Sequence, residues 1–240
     1  MSRRFPGYAS AVSVRTIVVG DVHGCLAELD ELLRLVELRP GFDRLVFVGD
    51  LIDRGPDSVG VVRRARELRA RSVAGNHEEK HLRWARTGAP SQARRPPGAR
   101  LSPADLAWLG SLPPWLRLDG GWAVVHGGLA PARTLAAQRK DEVLRLRLVD
   151  DRGDMVVATR APPPPGAAPW ATRWRGPESV VYGHHVHDLD TPRVDEPAAG
   201  VRCVGLDTGC CYGGRLSALV LPAEEIVSVA AREPYATRRG

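Results

Sequence analysis

Asparagine is nearly absent from this chain of 240 residues: Asn76 is the only one. Lysine is almost as scarce, with Lys80 and Lys140 the only two. The net charge of +6 therefore rests on arginine. A codon composition that disfavours both residues would explain the scarcity, and it makes the one retained asparagine informative. Aromatic residues amount to 5%, and none interleave with the arginines of Arg94, Arg95 and Arg100. That removes the stacking platform of single-stranded nucleic-acid binders, so no stable nucleic-acid complex is expected. The four cysteines (Cys25, Cys203, Cys210, Cys211) contain no CxxC spacing. Adjacent cysteines are poor disulfide partners, so free thiols in a reducing compartment are expected. No apolar run approaches the roughly 18–20 residues of a membrane span. Arg15 also interrupts the apolar stretch after Arg3-Arg4 that an export signal would need. The expectation is a cytoplasmic protein without a membrane partner; the sequence does not indicate an oligomeric state.

A hydrophobic fraction of 43% is enough for a sizeable core. One domain over residues 1–240 is expected, with a flexible N-terminus at 1–13. Exposed loops are expected at 88–103, rich in Pro, Arg and Gly, and at 158–170, which contains four consecutive prolines. The basic balance suits anionic substrates such as phosphoproteins, nucleotides or polyphosphate.

Three short apolar runs each end in glycine: Thr16–Val19, Leu45–Val48 and Ser72–Ala74. They read as buried strands, and each precedes a helical pattern: Leu26–Val36, a stretch capped by Asp57-Ser58, and Glu78–Arg86. Further strands are predicted at Trp122–Val125, Val180–Tyr182, Val201–Leu206 and Leu216–Leu221, and a short helix at Pro103–Leu112. The fold class is α/β. Loops after the strands collect at one edge of such a fold, where ligands bind.

Five blocks occupy those loops: Gly20-Asp21-Val22-His23-Gly24, Gly49-Asp50-Leu51-Ile52-Asp53-Arg54-Gly55, Gly75-Asn76-His77-Glu78, His126-Gly127-Gly128 and Gly183-His184-His185. Their oxygen and imidazole donors, without thiolate, suit manganese, iron or zinc. Asp50 has two oxygens and can bridge two cations. Asp21 and His23 can complete one metal site, and Asn76, His126 and His184 the other. Such a pair of divalent ions polarises a phosphoryl group and activates water. His77 follows a ligand and is suited to protonate a leaving oxygen, with Asp53 orienting its ring. Arg54 offers a planar fork to phosphoryl oxygens. His81 reads as a surface or packed residue, and Cys210 and Cys211 as small buried apolar ones.

The five blocks, in this order, resemble the phosphoprotein phosphatase family of the calcineurin-like metallophosphoesterases. Leu206-Asp207-Thr208-Gly209-Cys210-Cys211-Tyr212-Gly213-Gly214 resembles a strand-turn-strand of the bacterial branch. The resemblance implies a β-sandwich flanked by helices, with a dinuclear metal site at the sandwich edge. It implies Asp21, His23, Asp50, Asn76, His126 and His184 as ligands of two divalent transition metals, manganese foremost. It implies His77, Asp53 and Arg54 as the acid, its partner and a phosphate-binding arginine. A second such arginine is implied in Leu144-Arg145-Leu146-Arg147, where Arg145 is favoured over Arg147. One departure stands out: His185 occupies a position that is usually threonine.

The main functional expectation is a serine/threonine protein phosphatase-like enzyme that uses a metal-bridging hydroxide and His77 as general acid. Asp53 and Glu78 resemble that type. The alternative is a symmetrical bis(5'-nucleosyl)-tetraphosphatase, which the Arg-x-Arg segment, the Trp170/Trp174 region and the Asp207 turn resemble, or a polyphosphate hydrolase. A non-catalytic phospho-recognition scaffold is the reading from another class, and the presence of His77 and Asp53 argues against it.

Overall fold

A strand buried on both faces reads as continuous apolar sequence, and the central strands of this protein do so. The computed structural model describes residues 14–87, 100–157 and 162–238. The predicted strand–loop–helix repeats are present: β1 (Thr16–Val19), α1 (Leu26–Leu35), β2 (Arg44–Phe47), α2 (Ser58–Glu67), β3 (Arg71–Ser72) and α3 (Asn76–Thr87). Then follow α4 (Pro103–Gly110), β4 (Trp115–Arg117), β5 (Trp122–Val125) and α5 (Lys140–Val143). Three two-residue strands come next: β6 (Leu148–Val149), β7 (Met155–Val156) and β8 (Ala168–Pro169). The chain continues through β9 (Ser179–Tyr182), β10 (Arg193–Ala198), β11 (Val201–Gly205), β12 (Arg215–Leu221) and β13 (Glu225–Ala230).

The strands form two five-stranded sheets, ordered β13-β12-β1-β2-β3 and β10-β11-β9-β5-β4, and a small sheet β7-β6-β8. Period-two alternation sorts each strand's side chains between layers. Val18, Val46, Val124, Val181 and Leu219 share one buried cluster between the two large sheets. Their neighbours Ile17, Val19, Leu45 and Phe47 face a second cluster under the helices with Leu29, Leu32 and Val62. On the far side Ala123, Val125, Val180 and Tyr182 pack with Trp170, Trp174 and Leu129. The result is the expected sandwich with helical cover.

Within the first sheet β1, β2 and β3 run parallel. Within the second, β5, β9 and β11 run parallel. Six carboxyl ends thus meet along one edge of the sandwich.

The sequence did not predict β4, β10 or β13, and all three are sheet edges. An edge strand carries less of the apolar signal and tolerates proline; β10 contains Pro197 and alternates between half-buried and exposed. The predicted exposed loops need correction where they are described. Leu101 is buried, and Ser102 and Asp105 form a capping box that starts α4. Residues 162–165 are exposed, but Ala168–Pro169 pair with β6 and Trp170 is buried. The predicted N-terminus 1–13, residues 88–99 and residues 158–161 lie outside the described residues.

Candidate metal site

The strand ends deliver the predicted residues to one place. Asp21 and His23 follow β1, Asp50 follows β2, and Asn76 opens α3 just beyond β3. His126 follows β5 and His184 follows β9. The turns are tight: His23, Asp50, Asp53, Arg54 and His184 all have positive φ, between 47° and 74°. Non-glycine residues adopt this conformation at a cost of about 1–3 kcal/mol each, and such residues cluster at functional sites. Gly75 and Gly183 are needed for a different reason. A Cβ on Gly75 would overlap Asp50 Oδ1, and one on Gly183 would overlap Asp21 Oδ1.

Asp50 sits at the centre and turns its two oxygens to opposite sides. Oδ2 lies 3.5 Å from His23 Nε2, and Oδ1 lies 3.4 Å from His126 Nε2. Asn76 Oδ1 is 2.9 Å from the same His126 nitrogen, and the His184 ring lies 5.0 Å from that of His126. Asp21 accepts the His184 backbone N–H at 3.1 Å. Both central imidazoles are oriented by main-chain carbonyls: His23 Nδ1 is 2.9 Å from Ile52 O, and His126 Nδ1 is 2.9 Å from Val48 O. That bond leaves each Nε2 facing the cluster, as in metal-ligating histidines. His23, Asp50 and His77 form one metal-compatible group, and Asp50, His126 and His184 another.

The charges are crowded. Burial, then Asp207 and Asp50, raises the Asp21 carboxyl well above its usual range. Burial, then Gly209's opposing hydrogen bond and the Asp50 charge, leaves Asp207 pushed up to about 6. Glu78 is pushed up to about 7 by burial and Asp50. For His126, burial is outweighed by Asp50, Asp21 and Glu78, and its pKa rises to about 10. Burial, with Arg54 and His77 adding to it, brings His23 down to about 3 against the pull of Asp50. Carboxyl groups and an imidazole pushed up together mark excess buried negative charge, which divalent cations would relieve.

Asp53 is a hub. His77 Nδ1 lies 2.7 Å from its Oδ2, His81 Nε2 lies 2.6 Å from its Oδ1, and Lys80 binds it too. Burial alone would raise the Asp53 pKa; these hydrogen bonds outweigh it and hold Asp53 ionised, well below the carboxylate range. His77 Nε2 points toward the centre, 4.0 Å from Asp50 Oδ2. Arg54 Nη1 is 2.5 Å from His23 Nε2, and its guanidinium lies over the Tyr212 ring.

The paired arginines separate. Arg145 is ion-paired with Glu79 and is not among the residues lining the main cleft. Arg147 lines it, and its buried Nε has no hydrogen-bond partner. Of the two arginines, the structure thus sets Arg147 on the cleft and Arg145 on Glu79. His185 also lines the cleft and stacks on His187, ring centroids 4.0 Å apart.

Residues 14–188 match the family model described as calcineurin-like phosphoesterase. The chain belongs to the calcineurin-like phosphoesterases. Members of this family use two metal ions, and this phosphoesterase is accordingly a phosphoric ester hydrolase. It is 33% identical to the symmetrical bis(5'-nucleosyl)-tetraphosphatase of Chromohalobacter salexigens, over 88% of this chain and 96% of that one. It is 30% identical to the asymmetrical bis(5'-nucleosyl)-tetraphosphatase PrpE of a Geobacillus species, over 91% and 95%. A crystal structure of a candidate diadenosine tetraphosphatase superposes with a TM-score of 0.78 at 38% identity, covering 93% of this chain and 96% of that one. A protein serine/threonine phosphatase from Saccharomyces cerevisiae superposes at 0.56 with 17% identity, covering 95% and 81%, a likeness of fold alone.

Sequence reasoning did not place Lys80, Asp207 or Arg238 at the phosphoesterase cleft, which all three line. His81, expected at the surface or packed, is packed: it is buried with Nε2 against Asp53, and its four-residue spacing from His77 puts both on one helix face. Asp207 lines the cleft and stands two residues past the end of β11, the offset that Asp21 has from β1.

Proposed function

We propose that the chain hydrolyses the phosphoanhydride chain of dinucleoside polyphosphates. The observation that carries this reading is the cleft. It has a volume of about 720 Å³ and carries Arg54, Lys80, Arg147 and Arg238 along its walls beside His77 and His184. Four cationic side chains lining one cleft, Lys80 among them although it is bound to Asp53, suit a substrate with several phosphates better than a single phosphoester. Arg147, which lines the cleft, keeps one buried N–H without a partner, donor capacity that an anion would satisfy. The relatives named as tetraphosphatases support the same substrate class.

In this reading Asp21, His23, Asp50, Asn76, His126 and His184 would hold two divalent ions. The ions supply Lewis-acid polarisation of the phosphoryl group and a lowered pKa for water. Arg54 and Arg147 orient the phosphates, because planar guanidinium forks fix oxygen positions. His77 holds a proton at Nε2 for the leaving oxygen, and Asp53 accepts its Nδ1–H and keeps the ring aimed. His81 and Lys80 hold Asp53 in turn.

The test is a product analysis with manganese present, setting diadenosine tetraphosphate beside a phosphothreonine peptide. The expected result is rapid loss of the dinucleotide, either to two molecules of ADP or to ATP and AMP, with slow release of phosphate from the peptide. Turnover confined to the peptide would sink the proposal and return the chain to the protein phosphatase reading.

A further inference from the structure

Outside the phosphoesterase cleft, the sulfurs of Cys25 and Cys210 and a carboxylate oxygen of Glu28 lie within 4.8 Å of one another. All three residues are buried, at 0%, 2% and 0% exposure. They converge from separate parts of the chain: Cys25 directly precedes α1, Glu28 lies in its first turn, and Cys210 lies between β11 and β12. Glu28 Oε1 is satisfied by Arg232 N at 3.0 Å and the Tyr235 hydroxyl at 2.7 Å. Oε2 is buried and has no hydrogen-bond partner. Leaving a carboxylate oxygen in that state is costly, because its hydration is lost without replacement.

We propose that Cys25, Cys210 and Glu28 bind one zinc-class divalent ion, as a structural site distinct from the phosphoesterase centre. Two sulfurs and a carboxylate oxygen are a donor set that zinc accepts and that manganese disfavours. The phosphoesterase centre offers only oxygen and nitrogen, so the two sites differ in chemistry. The Tyr235 hydroxyl is the neighbouring oxygen donor for a fourth position. On binding, both thiols release their protons to solvent.

The location suggests what the ion would do. Glu28 already holds the segment after β13 through Arg232 and Tyr235. Cys211 O accepts from Tyr235 N and Ala236 N at 3.0 and 2.9 Å. Two residues further on, Arg238 reaches the cleft wall. An ion at this point would fasten that segment to the loop that carries His23.

Cobalt reports thiolate ligation directly. Cobalt(II) is titrated into the full-length, manganese-loaded chain under reducing conditions, and the near-ultraviolet thiolate-to-cobalt charge-transfer band is followed. The expected result is a band that saturates at one cobalt per chain and is bleached by zinc. Cys210→Ser should abolish it, and Glu28→Gln should weaken cobalt binding about 10-fold or more. Asp21→Asn, in the other centre, should leave it in place. A wild-type chain without the band would overturn the proposal, whatever the folding of the variants. A band that survives Cys210→Ser, or that disappears in Asp21→Asn, would do so as well.

Discussion

At Asn76 and His77, adjacent residues take up different work. Asn76 turns its amide oxygen to His126 within the ligand cluster, while His77 turns its ring to Asp53 on the other side. If His77 is the acid, His77→Ala should lower kcat about 10²–10⁴-fold. Manganese content, measured by elemental analysis, should match wild type. Parallel loss of metal and activity would make His77 a ligand instead. The arginines allow a second contrast. Arg147→Ala should raise KM for diadenosine tetraphosphate about 10-fold or more, the cost of one charged hydrogen bond. Arg145→Ala should change it less than threefold, since Arg145 is engaged by Glu79; equal effects from the two variants would count against the cleft assignment. These details also mark where sequence reasoning stops. Asp21, His23, Asp50, Asn76, His126 and His184 were legible because each stands at or near a strand end, in a block whose residue types only a charged site explains. Arg145 and Arg147 stand two apart in an irregular segment, and a tertiary contact with Glu79 separates them. His81 looked ordinary because its partner, Asp53, lies 28 positions away.

Among the secondary-structure elements, the legible ones are those with strong periodicity. Both faces of β1, β2, β5 and β9 are buried, so their runs are uninterrupted and easily read. The edge strands β4, β10 and β13 owe their existence to a neighbour, and their own sequences say little. Helix starts were readable where a cap is present. Asp57 precedes α2 and its side chain accepts from Gly60 N at 2.7 Å. Asp57→Ala should therefore destabilise the fold by about 0.5–2 kcal/mol. For a chain of this size each kcal/mol corresponds to roughly 2–4 °C in Tm. Thermal unfolding that leaves Tm unchanged would show that the cap contributes nothing. The cap also lies close to the site. Gly24 O accepts from Asp57 N, and His23 O accepts from Gly55 N, so the start of α2 and the loop bearing His23 are held as one piece.

At the scale of the whole molecule, a sandwich edge gathers six parallel strand ends from two sheets and concentrates carboxylates there. Asp21, Asp50, Glu78 and Asp207 are all buried in one neighbourhood. Glu78 accepts from Asp50 N, Leu51 N and Gly75 N at 2.8–2.9 Å, which ties the loops after β2 and β3 together beneath the cluster. Bound cations would relieve that crowding of negative charge. Ions that bind the native state alone should stabilise it by about 2.7 kcal/mol at a hundredfold excess over Kd. Removing them with a chelator should therefore lower Tm as well as activity. The strand-end ligand blocks made this convergence readable from sequence. The set of cations that lines the cleft was not, because Lys80, Arg147 and Arg238 come from distant segments that only the fold assembles.

Asp50 is central to the cluster, since one of its oxygens faces His23 and the other faces His126. The decisive measurement is elemental analysis of manganese per chain in wild type and in Asp50→Asn. Two ions are expected in wild type, and loss of both together with activity in the variant. One tightly held ion in Asp50→Asn would contradict a bridging role for Asp50, because a residue that bridges two ions cannot be removed at the expense of one alone.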